Sequence, residues 1–368
     1  MKEFENKIYR RLLAPVLACL VLALAGCSQD ATEAEAPSSP TGGTYLTIVT
    51  RGINTTTPTE YEDYVGKLRV IAFDTDGNAV DGMNFTIDNM SRFTVKGNGD
   101  EASIEVTHVF DSGIITSGVY TFYFVANEDD YNTTESQTLS AALDAVTDES
   151  DLELIQVATS MTTSDQLKPT ASQMLMSTGP YTALIREGED NRIGDNNHIK
   201  LIRAFAKAQL ALKLPKDNTS QNAPTVTSVT LNGTYPASFY LIPGNTEKIT
   251  STTSFNNREI REDADKALFG ENLNPADYFY VSETIYLPER YLTENSVLDN
   301  ALKYSITIDN SSYTAPIADG TEAPVDYNII RNCAYTTIGT YRQEVLSDFN
   351  LLVVPWDDEK VIEVPPFE

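Results

Sequence analysis

From residue 44 onward, apolar and polar residues alternate in short runs, and clusters of Gly, Pro, Asn and Asp separate the runs. A period of two places successive side chains on opposite faces of an extended chain, so the pattern predicts strands. The first run is TYLTIVTRG, Thr44 to Gly52: Leu46, Ile48 and Thr50 share one face, and Tyr45, Thr47 and Val49 the other. In VGKLRVIAFD, Val65 to Asp74, Leu68, Val70 and Ala72 alternate with Arg69, Ile71 and Phe73. Residues 102–110 and 119–126 are further strand runs, and 173–176 and 181–185 are short ones. SQTLSAALDAV breaks the pattern. Its Leu139, Ala142, Leu143 and Val146 fall on one helical face, which predicts a short helix.

REGEDNRIGDNN, residues 186–197, is polar and turn-rich and is taken as a junction. The run after it, HIKLIRAFAKAQLALKL, carries conflicting signals. Its Ala and Leu content favours helix. Yet Ile202, Ala204, Ala206, Ala208, Leu210, Leu212 and Leu214 hold strict alternate positions, which favours a strand with one buried face. The alternation decides for a strand, stopped by Pro215. Later strands are expected at 225–231, 238–242, 278–287, 302–308, 327–338 and 349–354, with a strand-like run at Val361–Val364 halted by Pro365 and Pro366. The expected fold is all-β with minor helix: two β-sandwich domains in tandem, residues 44–187 and 196–368. No repeat of solenoid or propeller length is visible.

The first 26 residues stand outside this fold. Lys2, Lys7, Arg10 and Arg11 form a basic start, and the apolar run from Leu12 to Ala25 is too short to span a membrane as a mature helix. The run ends in LAGC, which resembles a bacterial lipobox and implies a lipid thioether on Cys27 after cleavage before it. Residues 27–43 are small, acidic and Pro-containing, and read as a flexible tether. Fully extended, its sixteen residues from Ser28 to Gly43 reach at most about 55 Å.

The formal net charge of −27 and sequence pI near 4.3 argue against nucleic acid as a partner and against anionic lipid surfaces. Of three cysteines, Cys19 leaves with the leader and Cys27 carries lipid, so Cys333 alone remains and no internal disulfide is expected. With one free Cys and two His, a structural zinc site and other metal centres are not expected, and no cofactor pattern is present.

Candidate chemistry is sparse. A nucleophilic triad needs a base beside its nucleophile. The two histidines, His108 inside a strand run and His198 opening another, read as structural or surface residues. No spacing singles out a carboxylate pair for glycoside hydrolysis. DTDGN, Asp74 to Asn78, has oxygen ligands at alternate positions like part of a calcium loop but lacks the downstream Glu. A turn between two strands needs the same residues and is the stronger reading. Trp356, the sole Trp, suits a packing plug better than a sugar platform. No catalytic residue emerges, and the chain is not expected to be an enzyme.

The two ends are more informative. If the first strand pairs with a sheet and covers a core, its removal re-exposes Leu46 and Ile48, at about 3–6 kcal/mol for the pair. It also strips partners from backbone groups on the adjoining strand. A groove of this kind accepts another extended segment, and the chain carries one at its far end, Lys360 to Val364. Such a subunit would polymerise head to tail through contacts that do not close. Arg51, directly after the strand, is where a protease could separate the two parts.

At this point the motifs resemble those of the FimA-type fimbrillins of the Bacteroidales, the subunits of type V pili. The resemblance spans nearly the whole chain. It rests on the lipobox followed by a strand ending in Arg51-Gly52, on KLRVIAFDTDGN, VYTFYFVANE and MLMSTG, and on LIRAFAKAQLAL, TIYLPERYL, IIRNCAYTTIG and LLVVPW, in that order. Arg290 departs from the family, which usually has Asn after this Pro-Glu pair; a local contact is expected to change and the fold to persist.

The resemblance implies that both domains are transthyretin-like. It implies transport to the outer membrane as a lipoprotein anchored through Cys27, then cleavage of Arg51–Gly52 by a trypsin-like, Arg-specific surface protease. The strand removed is Tyr45, Leu46, Thr47, Ile48, Val49 and Thr50. The best candidate donor strand is Glu359, Lys360, Val361, Ile362, Glu363 and Val364, entering the groove of another subunit. Partners are then other copies and the anchor and tip proteins of the fimbrium, at the cell surface. Three alternatives stay open: an anchor subunit that keeps its lipid and is never cut, a tip adhesin, and a surface glycan-binding lipoprotein.

Overall fold

The computed structural model describes residues 44–51, 62, 65–88, 94–96, 103–110, 115–159, 173–194, 199–216, 224–247, 249–265, 268–269, 273–292, 301–317, 327–342 and 345–355. Within them the chain is nearly all strand. In the first half lie β1 (Thr44–Arg51), β2 (Leu68–Phe73), β3 (Ala79–Ile87), β4 (Thr94–Lys96), β5 (Ser103–Phe110), β6 (Gly118–Ala126), β7 (Gln156–Ala158), β8 (Met176–Ser177), β9 (Tyr181–Ile185) and β10 (Asp190–Ile193). Helices α1 (Leu139–Asp144) and α2 (Glu149–Glu153) sit between β6 and β7. Next come β11 (Ile202–Arg203), β12 (Phe205–Lys213), β13 (Val226–Pro236), β14 (Ser238–Tyr240) and β15 (Thr252–Glu259). The remainder are β16 (Tyr278–Val281), β17 (Ile285–Pro288), β18 (Leu302–Ile308), β19 (Ser311–Ile317), β20 (Cys333–Arg342) and β21 (Val345–Pro355).

The strands form two pairs of sheets. In the first pair, a sheet ordered β10-β1-β5-β4 faces one ordered β11-β8-β6-β2-β3, with β9 also on β6. Leu46 and Ile48 of β1, Leu68, Val70 and Ala72 of β2, Phe122 and Phe124 of β6, and Ile193 of β10 close the core between them. In the second pair, β16-β12-β20-β21, with β17 also on β12, faces β15-β13-β18-β19. Leu210, Leu212, Leu231, Tyr304, Ile306 and Tyr335 are among its core residues.

β2 is buried along its full length, on both faces. This is why its polar face reads as Arg69-Ile71-Phe73. The second face of β2 and β6 packs Ile71, Phe73, Tyr123 and Val125 against Leu139 and Leu143 of α1, Leu152 of α2, and Phe205, Phe239 and Leu241. Arg69 is admitted there because Glu128, 1% exposed, takes its Nε and Nη2 in a two-point pair, both at 2.7 Å. Asn84 accepts from Nη1 at 2.7 Å, and Asp144 lies 2.7 Å from the same nitrogen.

Helix α1 lies where the periodicity predicts it, capped by Thr138, whose side chain accepts from Ala141 N at 3.2 Å. Helix α2 is not foreseen. ESDLE offers one buried residue, Leu152, and so no apolar period; only the cap Asp148, accepting from Asp151 N, marks it.

Several expectations need correction. The polar stretch 186–197 is not merely a connection, because it contains β10. The strand expected from Ile202 to Leu214 is two: β11 pairs with β8 in the first sheet pair, and β12 runs parallel to β20 in the second. The chain crosses between sheets at Ala204, whose N–H donates to Leu175 O at 2.9 Å. Nor is one face of β12 exposed: Phe205, Gln209 and Ala211 are also buried. The run expected at 278–287 divides into β16 and β17, with Ser282 Oγ accepting from Leu210 N at 2.9 Å in the break. Strands β3, β15 and β19 are polar enough to escape the pattern and are fixed by pairing with β2, β13 and β18. A ribbon of β7 with β14 ties the two halves of the sequence together. The run Val361–Val364, Trp356 and His198 lie outside the described residues.

Candidate functional site

β1 is an inner strand. It runs parallel to β10, pairing Tyr45 with Asp190, Leu46 with Asn191, Thr47 with Arg192 and Ile48 with Ile193. On its other side it runs antiparallel to β5 from Thr44–Phe110 to Arg51–Ser103. Leu46 is 2% exposed and Ile48 0%, both in the core. The strand predicted from Tyr45 to Thr50 thus gains one residue at each end.

Side chains add to this ladder. Gly188 N donates to Thr44 Oγ1 at 3.1 Å, and Thr47 Oγ1 donates to Asp190 Oδ1 at 2.7 Å. β10 is presented by a turn that Asn191 closes: its Oδ1 accepts from Arg186 N at 2.9 Å, and its Nδ2 donates to Arg186 O and Glu189 O at 3.0 and 3.1 Å. On the β5 side, His108 stacks on Phe85, centroids 4.2 Å apart, and meets Phe110 at 4.6 Å. His108 is therefore part of an aromatic cluster beside Leu46, its ladder partner.

The two flanks of β1 end at different points. The β10 ladder stops at Ile48, whereas β5 continues to Arg51. Residues 49–51 are held by backbone bonds on one side alone among the described residues. Sequence reasoning singled out Leu46, Ile48 and Arg51 but missed Asp190, Asn191, Arg192 and Ile193. Their signal is faint: one apolar residue in a charged, turn-rich stretch.

The other predicted positions divide as follows. Gly52, Cys27 and Glu359 to Val364 lie outside the described residues. DTDGN forms the β2–β3 turn: Asp74 Oδ1 accepts from the N–H groups of Asp76 and Asn78, both at 2.9 Å, and Gly77 takes φ +83°. These bonds, chiefly that from Asn78, hold the Asp74 carboxyl below its ordinary range. Arg290 is buried, 4% exposed, and its backbone bridges to Ile329 in both directions. Burial lowers its guanidinium to about 10. Its neighbour Glu289 pairs with Arg331 at 2.6 Å. Glu62, ahead of β2, reaches across to Lys207 Nζ at 3.0 Å and accepts from Tyr286 OH at 2.7 Å.

Comparison with known proteins defines the class. Residues 45–225 match the family model of the major fimbrial subunit protein, FimA. The tip fimbrial protein Mfa3 from Porphyromonas gingivalis, truncated at its C-terminus, superposes with a TM-score of 0.56 at 16% identity, over 85% of this chain and 100% of that one. A fimbrial assembly protein from Parabacteroides distasonis gives a TM-score of 0.51 at 14% identity, over 88% and 98%. No curated protein matches the chain. Residues 45–225 thus resemble the FimA family of major fimbrial subunits, and the described residues share the fold of fimbrial and adhesion proteins.

Proposed function

We propose that the protein is a structural fimbrial subunit that polymerises by strand exchange once β1 has been removed. The observation that carries this reading is the position of β1 between β10 and β5, with Leu46 and Ile48 in the core. Removing an inner strand leaves backbone donors and acceptors facing each other across a slot, above an apolar floor. An incoming strand restores both. Removing an edge strand would leave no such slot.

The sequence of events follows. A lipid on Cys27 holds the precursor at the outer membrane, and β1 fills the slot in cis. A trypsin-like, Arg-specific protease cuts Arg51–Gly52, where the ladder ends and only β5 still flanks the chain. Tyr45 to Thr50 then leave with the anchor. Residues 359–364 of another copy enter, and the assembly grows at the cell surface together with anchor and tip partners. The role is structural, not catalytic, and the two sheet pairs act as the two domains of the subunit, with β10 and β11 counted in the first rather than in a junction and a second domain.

Purified precursor treated with trypsin-like protease should convert to high-mass polymer, read by light scattering. Arg51→Ala precursor should stay monomeric under the same treatment. Polymer from uncut Arg51→Ala protein would refute the reading. An anchor subunit would instead be recovered uncut from fimbriae with Cys27 still lipidated.

A further inference from the structure

Thr47 sits between Leu46 and Ile48, on the face of β1 turned away from the core, yet it is 2% exposed. Its ladder partner on β10 is Arg192, and its hydroxyl donates to Asp190 Oδ1 at 2.7 Å. The other oxygen of that carboxylate, Asp190 Oδ2, lies 3.7 Å from Arg192 Nε. Arg192 thus steadies the carboxylate that Thr47 meets, and the bond between them is of the charge-assisted kind.

The wall that presents Asp190 is built without β1. Asn191, 7% exposed, ties Arg186 and Glu189 together through its side chain, and none of these bonds uses a residue of β1. The same turn marks β1 a second time, where Gly188 N donates to Thr44 Oγ1 at 3.1 Å. Thr44 is also 2% exposed. A preformed N–H therefore faces residue 44 and a preformed carboxylate faces residue 47. Backbone ladders and an apolar floor would accept any segment with two apolar residues spaced by two. The carboxylate is more selective. Val has the shape of Thr without the donor, and an acidic side chain would be buried against a like charge.

We propose that Asp190 makes the slot selective for an extended segment with a hydroxyl between its two core-facing residues, so that the cut β1 strand remains a ligand of the slot and competes with an incoming strand. Cleavage alone then leaves the slot filled. Exchange waits for release of a strand still held by both ladders, and the bond to Asp190 lengthens that wait. This inference rests on the strand-exchange reading above.

Peptide competition tests it. Synthetic TYLTIVTR, the sequence of β1, should slow the elongation of protease-treated subunits in a dose-dependent way. The Thr47→Val peptide should need a roughly tenfold higher concentration for the same inhibition, and the Thr47→Ser peptide should stay within about threefold of the native one. The Thr47→Glu peptide should be the weakest of the four. On Asp190→Ala subunits the native and Thr47→Val peptides should become equal within about twofold. The full chain carries the same signature: after cleavage, Thr47→Val precursor should release its β1 fragment faster than wild type, followed by mass spectrometry. If the native peptide inhibits but the Val peptide matches it, or the difference survives in Asp190→Ala subunits, Asp190 does not select the occupant and strand exchange stands. If cut wild type polymerises and no peptide slows it, the cut strand is not a ligand of the slot and the proposal fails. If cut wild type does not polymerise, both readings fall.

Discussion

Leu46 and Ile48 hold β1 in place, and their burial makes them the sharpest local probes of the slot. Leu46→Ala or Ile48→Ala should each destabilise the uncut precursor by about 2–5 kcal/mol in urea unfolding. Val109→Ala, at a position 49% exposed, should change stability by less than about 0.5 kcal/mol. A second probe is Glu128. Burial pushes its carboxyl up, but the hydrogen bonds and charge of Arg69, with Ser140 and Lys67, outweigh it and hold it below its ordinary range. A carboxyl lowered on folding contributes stability above its unfolded pKa, and loses it as pH falls through the folded value. Glu128→Gln should leave Arg69 buried and poorly paired, costing about 3–5 kcal/mol near neutral pH. The gap to wild type should narrow in acid unfolding curves, and a gap constant down to low pH would contradict this.

β10 shows what a sequence can and cannot convey about strands. Alternation located β1, β2, β5 and β6 because each has at least one apolar face, and it located α1 through Leu139 and Leu143. It could not locate β10, β15 or β19, because short or polar strands owe their existence to partners distant in the chain. The candidate site was half legible for the same reason: the strand that fills the slot is apolar and visible, whereas its β10 wall is charged and hidden in a turn. The break at Ala204 was also invisible, since the alternation runs on unchanged while the chain moves from one sheet to another. Loss of β1 has an element-level signature. After cleavage and release, amides of 103–110 and 190–193 should lose hydrogen-exchange protection, and β12 and β20 should keep theirs. Entry of a donor segment should restore it. Equal loss in both sheet pairs would mean that β1 supports the entire fold and that no local slot exists.

Charge governs how copies meet. Residues 1–51 contain five basic residues, Lys2, Lys7, Arg10, Arg11 and Arg51, and five acidic ones, Glu3, Glu5, Asp30, Glu33 and Glu35. Cleavage therefore leaves the formal charge of −27 on the remaining chain. Two such copies repel one another at long range, and salt screens that repulsion. Elongation of cut subunits should accelerate several-fold between about 10 and 150 mM salt; a rate that falls with salt would mean that local attraction outweighs the net repulsion. The same charge keeps uncut precursors apart while β1 fills the slot, so solubility and controlled assembly have one physical source.

The central claim is that β1 is present in the precursor and absent from the fimbrium, and the N-terminus of the surface form tests it most directly. Fimbriae sheared from cells should yield high-mass polymer whose subunits, by intact and peptide mass spectrometry, begin at Gly52. Subunits in that polymer beginning at a lipidated Cys27, with Tyr45 to Thr50 still attached, would contradict it.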